Sequence, residues 1–180
     1  MGSKVTRLWF LGILISITVI SCGEKEVKDQ PQKPIKTEKK PTIEILVTPE
    51  FNADSAYAFI EKQVSFGPRV PNTETHRSCA KWLESKLKSY GLKTNVQNAQ
   101  VTAYNGQALE IFNIMGQINP EAKDRIMFSA HWDSRPYADR DTEKRNKPID
   151  GANDGASGVG VLIEMARILT QDSSFKDLGV

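Results

Sequence analysis

The sequence predicts an α/β fold with helices on both faces of a central sheet, and three observations carry that expectation. Apolar residues recur at helical spacing between Thr73 and Tyr90. Two extended-type segments flank the turn-forming pair Asn105-Gly106. A short apolar run, residues 125–130, and a longer one, residues 158–169, then bracket a glycine-rich stretch. Outer helices, a hairpin, a buried strand and a buried helix, in that order, bury their apolar faces most simply as helix–sheet–helix layers.

The first 22 residues stand apart from that fold. Lys4 and Arg7 precede an apolar run from Leu8 to Ile20, which ends at Ser21-Cys22-Gly23, the pattern of a signal segment with a small-residue processing site. The run is about 13 residues, short of the ~20 a membrane-spanning helix needs. Val19-Ile20-Ser21-Cys22 resembles a bacterial lipobox, in which Cys22 becomes the lipidated first residue of an exported, membrane-anchored protein. A plain secretory signal with an incidental cysteine is the alternative. With lipid on Cys22, each buried methylene contributes about 0.8 kcal/mol to the anchor. Only Cys79 then remains, and one thiol forms no internal disulfide. It is expected as a small buried hydrophobe rather than a nucleophile.

Residues 23–44 read as a tether. From Glu24 to about Pro41 the chain is Lys, Glu, Gln and Pro with almost no apolar residue, too little buried surface to offset the entropy of ordering. Residues 45–180 hold the folded part. A helix is expected within Phe51–Val64, capped by Asn52 or Asp54, and a second from about Thr73 to Tyr90. The second carries Cys79, Trp82, Leu83, Leu87 and Tyr90 on one face and stops at Gly91. Strands are expected at residues 94–104 and 109–116, joined through Asn105-Gly106. The run 125–130 reads as a strand buried on both faces, and residues 158–169, apolar apart from Glu164 and Arg167, as a buried helix. The net charge of +2 gives no basis for nucleic acid as a partner.

Metal-competent groups sit where two of these elements meet loops. His131 and Asp133 follow the apolar strand, at the carboxyl end where open α/β sheets bind ligands. Side chains alternate along an extended chain, so the two point to one side. A carboxylate beside an imidazole suits a metal-binding histidine whose tautomer needs fixing. Alone, the triplet is equally a surface loop. The second segment, Gly151-Ala152-Asn153-Asp154-Gly155-Ala156-Ser157-Gly158, opens the apolar helix, and Asp154 alone is equally an N-cap. Together the segments supply an imidazole and two carboxylates, a ligand set that suits catalytic zinc. His76, the other histidine, is expected on the exposed, polar side of its helix.

The two segments, about twenty residues apart and followed by an apolar helix, resemble the zinc aminopeptidase and glutaminyl cyclase family, with the resemblance running from about Phe51 to Leu169. Phe66-Gly67-Pro68-Arg69-Val70-Pro71, the Cys79–Leu87 helix and the His131–Pro136 segment resemble its bacterial glutaminyl-peptide cyclotransferase branch. The resemblance implies a three-layer zinc exopeptidase-like fold with a mixed central sheet, here incomplete at the C-terminus. It implies Asp154 as a metal ligand, shared by both ions in two-zinc aminopeptidases. His131 matches a ligand of the second ion there, while the equivalent histidine of single-zinc animal cyclases is not a ligand. Asp133 matches the carboxylate of the catalytic site that orients this histidine. One Zn2+ is implied for a cyclase and two for an aminopeptidase, with peptide or protein N-termini as substrates. The implied reaction is conversion of N-terminal glutamine to pyroglutamate with release of ammonia, hydrolysis by an aminopeptidase being the alternative. A non-catalytic binding module on the same fold is a third reading. Residues 137–150 would form a loop over the site. The family's glutamate base and remaining ligands fall beyond the matching positions, so the chain is expected to be an N-terminal part that is inactive alone.

Overall fold

A computed structural model describes residues 48–180 except Lys176; the signal-like segment, Cys22 and the tether lie outside the described residues. Helix α1 spans Ala53–Val64, with Asn52 as its N-cap. The Asn52 side chain accepts the Ser55 N–H at 2.8 Å, which satisfies one of the donors a helix start leaves without a partner. Helix α2 spans Glu74–Ser89, capped by Thr73, whose hydroxyl accepts the His76 N–H at 3.3 Å. Acidic Glu74 in its first turn and basic Lys86 and Lys88 in its last complement the helix dipole.

The expected hairpin forms. Strand β1 (Lys93–Thr102) pairs antiparallel with β2 (Ala108–Gln117), from Lys93 opposite Gln117 to Thr102 opposite Ala108. The Ala103 N–H donates to the Gln107 carbonyl at 2.8 Å, closing the turn around Asn105-Gly106. Val96 faces Ile114 across the ladder, the kind of cross-strand apolar pair that stabilises a sheet.

Helix α3 spans Ser157–Gln171 and follows a wide helical turn at Ala152–Ala156. It buries Val159, Gly160, Ile163 and Glu164 against α1 and α2. A Cβ at Gly160 would lie 2.7 Å from the Ala56 carbonyl oxygen, so the absence of a side chain there sets how closely α1 and α3 approach. The core joins Cys79, Ala80 and Leu83 of α2, Val159 and Ile163 of α3, and Trp132. Fully burying one such aliphatic side chain contributes about 1.5–3 kcal/mol. Cys79 is fully buried, and burial pushes its thiol up to about 12, as suits an inert core residue.

The described residues thus form an α/β unit in which α2 packs on the hairpin and α1 packs on α3, with one parallel bridge, Arg125 to Gly179, in addition to the antiparallel ladder. Two expectations need correction. Residues 126–130 form no strand buried on both faces: Ile126, Met127 and Phe128 are 47, 89 and 46% exposed. An apolar run is buried only where neighbouring elements cover it: Ala130 packs on the core beside Gly158 of α3, whereas Ile126, Met127 and Phe128 stay largely uncovered. Helix α3 is likewise buried along one stripe, with Val161 exposed. Its charged residue Glu164 lies inside that stripe at 0% exposure. It accepts the Asn52 N–H at 3.0 Å and the Arg167 Nε–H at 2.9 Å, and Arg167 chiefly holds its carboxyl below the usual range. Among the described residues no helix is long and apolar enough to cross a membrane.

Candidate metal centre

The extended segment after residue 130 alternates as its sequence predicts. Trp132 and Ser134 turn inward and are buried, whereas His131 and Asp133 face out. The Trp132 indole N–H donates to the Phe112 carbonyl at 3.1 Å, which ties this segment to β2. Its ring stacks on His76 at 4.2 Å and 13°. His76 is therefore 2% exposed, not on an exposed face as the sequence suggested. Its spacing gave a signal: His76, Cys79, Ala80 and Leu83 follow i, i+3, i+4, i+7, so the histidine is the first residue of the buried stripe. Burial lowers its pKa, because an apolar slab disfavours the charged ring.

Asp154 arrives from the other side. Within the turn Ala152–Ala156 its backbone is non-helical (φ −85°, ψ 89°), and Gly155 follows at φ +109°. Residue Ala156 caps α3 without a side-chain hydrogen bond, so Asp154 is no N-cap. A Cβ at Gly155 would stand 2.7 Å from the Asp133 carbonyl oxygen and 3.2 Å from His131 Cε1. The glycine therefore lets the turn lie directly against the extended segment that carries the histidine.

That approach brings the expected groups together. His131 Nε2 lies 3.2 Å from Asp154 Oδ1, and His131 Nδ1 lies 3.5 Å from Asp133 Oδ1. Both ring nitrogens thus meet a carboxylate. All three side chains are about half exposed, at 59, 47 and 47%, so the group is open to solvent. Two donors bound to one tetrahedral zinc at ordinary bond lengths stand about 3.3 Å apart. The Nε2–Oδ1 pair already has that spacing, and the chemistry of the donors, one imidazole and one carboxylate, fits zinc. Asp133 sits where it would hold the ring in the Nδ1–H form. Among the described residues no three His, Cys, Asp or Glu side chains converge as a ready metal cage, so the pair is a two-donor arm.

Two arginines complete the geometry, and neither stood out in the sequence as a site residue. Arg135 Nε is 3.4 Å from Asp154 Oδ2, and its Nη1 is 2.5 Å from Asp139 Oδ1. Arg135 accordingly pins one end of the 137–150 loop beside the site, where the Ala138 N–H also donates to the Lys147 carbonyl at 2.8 Å. Arg69 is fully buried. Burial pulls its pKa below the ordinary arginine value, opposed by the nearby Cys79, Asp133 and Asp150.

Residues 113–179 match peptidase family M28. The chain is 54% identical to the solved glutaminyl cyclase of Tannerella forsythia, over 73% of this chain and 46% of that one, with a TM-score of 0.70. A zinc-dependent exopeptidase from Parabacteroides distasonis gives 50% identity, 74 and 46% coverage and the same TM-score. Among curated proteins, a probable zinc metalloprotease from Pyrenophora tritici-repentis is 29% identical over 68% of this chain and 28% of that protein. The chain therefore spans less than half the length of these relatives. The matched segment, the identities and the shared fold place the chain in the family that unites zinc-dependent aminopeptidases and other exopeptidases with glutaminyl cyclases.

Proposed function

We propose that the protein carrying this chain is a zinc-dependent glutaminyl cyclase, in which His131 and Asp154 hold the metal and Asp133 orients His131. The observation that carries this reading is the 3.2 Å approach of His131 Nε2 to Asp154 Oδ1, with Asp133 on the opposite ring nitrogen. Bound zinc would supply Lewis acidity towards the side-chain carbonyl of an N-terminal glutamine. Asp133 keeps the Nδ1 proton in place, so the Nε2 lone pair stays directed at the shared site. The half-exposed side chains leave room for a peptide N-terminus to enter. In the reaction the substrate's uncharged α-amine bonds to its own side-chain amide carbon. The carbon–nitrogen bond of that amide breaks, and ammonia leaves with the proton the amine gives up.

Similarity to a solved glutaminyl cyclase at 54% identity supports the cyclase branch. Hydrolytic removal of the first residue by a two-zinc site is the second reading, favoured by the 50% identity to a zinc-dependent exopeptidase. A peptide beginning with glutamine separates them. The cyclase reading expects ammonia, a blocked N-terminus and an unshortened peptide; free N-terminal amino acids would overturn it. Export and anchoring through Cys22 belong to the same reading. Replacing Cys22 with Ser is expected to abolish incorporation of labelled palmitate, and undiminished labelling refutes the anchor.

A further inference from the structure

The two halves of the candidate centre come from distant parts of the chain, and one buried side chain connects them. Arg69 Nε donates to the Trp132 carbonyl at 2.9 Å, between His131 and Asp133. Its Nη1 donates to the Asp150 carbonyl at 2.7 Å and its Nη2 to the Gly151 carbonyl at 2.8 Å, at the entry to the turn that presents Asp154. Longer Nη1 contacts of 3.4 Å reach the Gln63 and Gly67 carbonyls at the end of α1. The backbone of the same residue locks to the extended segment that carries His131. The Arg69 N–H donates to Ser134 Oγ at 2.9 Å, and the Ser134 N–H returns to the Arg69 carbonyl at 3.2 Å.

Every one of these side-chain acceptors is a main-chain carbonyl, so the guanidinium fixes backbone against backbone rather than binding a ligand. The cradle is tight on the turn side: a Cβ at Gly151 would lie 2.9 Å from Arg69 Nη2. A planar five-donor fork can hold three segments in one arrangement, whereas a lysine ammonium offers a single point.

We propose that Arg69 is the positioning residue of the metal centre, setting the distance between His131 and Asp154 by clamping Trp132 to Gly151. The proposal rests on the zinc reading above. It also explains why a cation is buried here without touching the site. Its loss lets the turn move relative to the His131 segment, so two donors now at ligand spacing separate.

Arg69→Lys in this chain tests it by NMR. In the wild type a close contact is expected between the Hε1 proton of His131 and the α-protons of Gly155, since a Cβ added at Gly155 would lie 3.2 Å from His131 Cε1. Titration with zinc chloride should shift the same Hε1 resonance. The proposal expects Arg69→Lys to lose the contact and to weaken zinc binding roughly 10–100-fold, the usual cost of disturbing groups that orient ligands. The cross-strand contact of Val96 with Ile114 should persist and report an intact hairpin. A retained Hε1–Gly155 contact, with zinc affinity within about 2-fold of wild type and so well short of that cost, overturns the proposal. Should Arg69→Lys unfold the hairpin, Ser134→Ala takes its place, since it removes only the acceptor of the Arg69 N–H. Weaker zinc binding with the hairpin intact then supports the clamp, and unchanged binding refutes it. A wild type that shows the contact but no zinc-induced shift would defeat the zinc reading, while the Hε1–Gly155 contact in the variants still decides the clamp.

Discussion

Replacing Gly155 with Ala probes the point where the two segments touch. At φ +109° and ψ −56° an L residue is strained by about 2 kcal/mol. The new methyl would also sit 2.7 Å from the Asp133 carbonyl oxygen and 3.2–3.3 Å from the His131 ring. The first neighbour is backbone and cannot swing away, so overpacking adds about 2 kcal/mol more. Together the loss is about 4 kcal/mol. Gly106→Ala is the control, because Gly106 has φ +84° with nothing within 4 Å of an added Cβ and should cost about 1–2 kcal/mol from conformation alone. Urea unfolding of both variants, read as midpoint shifts at constant slope, gives the comparison. If Gly155→Ala costs no more than Gly106→Ala, the turn does not press on the His131 segment, and the reasoning fails.

Other regions give sharp expectations. His76 has a lowered pKa in the folded state, so unfolding takes up a proton between that value and about 6.5. Stability should be full above pH ~6.5 and decline as pH falls through the folded value; His76→Phe should flatten that part of the profile. Glu164→Gln removes the charge that Arg167 and the Asn52 N–H share and should cost about 2–3 kcal/mol, measured by urea unfolding near neutral pH. The carboxyl is held below its ordinary value, so this contribution is present above the unfolded pKa and disappears as pH drops through the folded one. The Cys79 thiol, at about 12, should resist iodoacetamide at pH 8 in the native protein and react in urea; fast native labelling would contradict its burial.

Local signals carried much of the fold. Helix α2 was legible because its apolar stripe and the stop at Gly91 are local signals, and the hairpin because Asn105-Gly106 sets its own turn. Period-two alternation correctly placed His131 and Asp133 on one side. The burial of His76 was missed because its residue type outweighed its position on the stripe. Residues 126–128 misled for a different reason: composition shows that a run is apolar, while burial depends on what lies over it. Arg69 was hidden by distance, since its acceptors Trp132 and Gly151 lie 63 and 82 residues away. Arg135 was hidden likewise, because its contact with Asp154 depends on the path of the 137–150 loop.

Anomalous diffraction at the zinc absorption edge, from crystals of the zinc-loaded protein, addresses the metal assignment most directly. A peak bonded to both His131 Nε2 and the Asp154 carboxylate at about 2.0–2.2 Å, with Asp133 on the far ring nitrogen, is the expected result. Zinc held elsewhere in the molecule, with His131 and Asp154 both unligated, would contradict it.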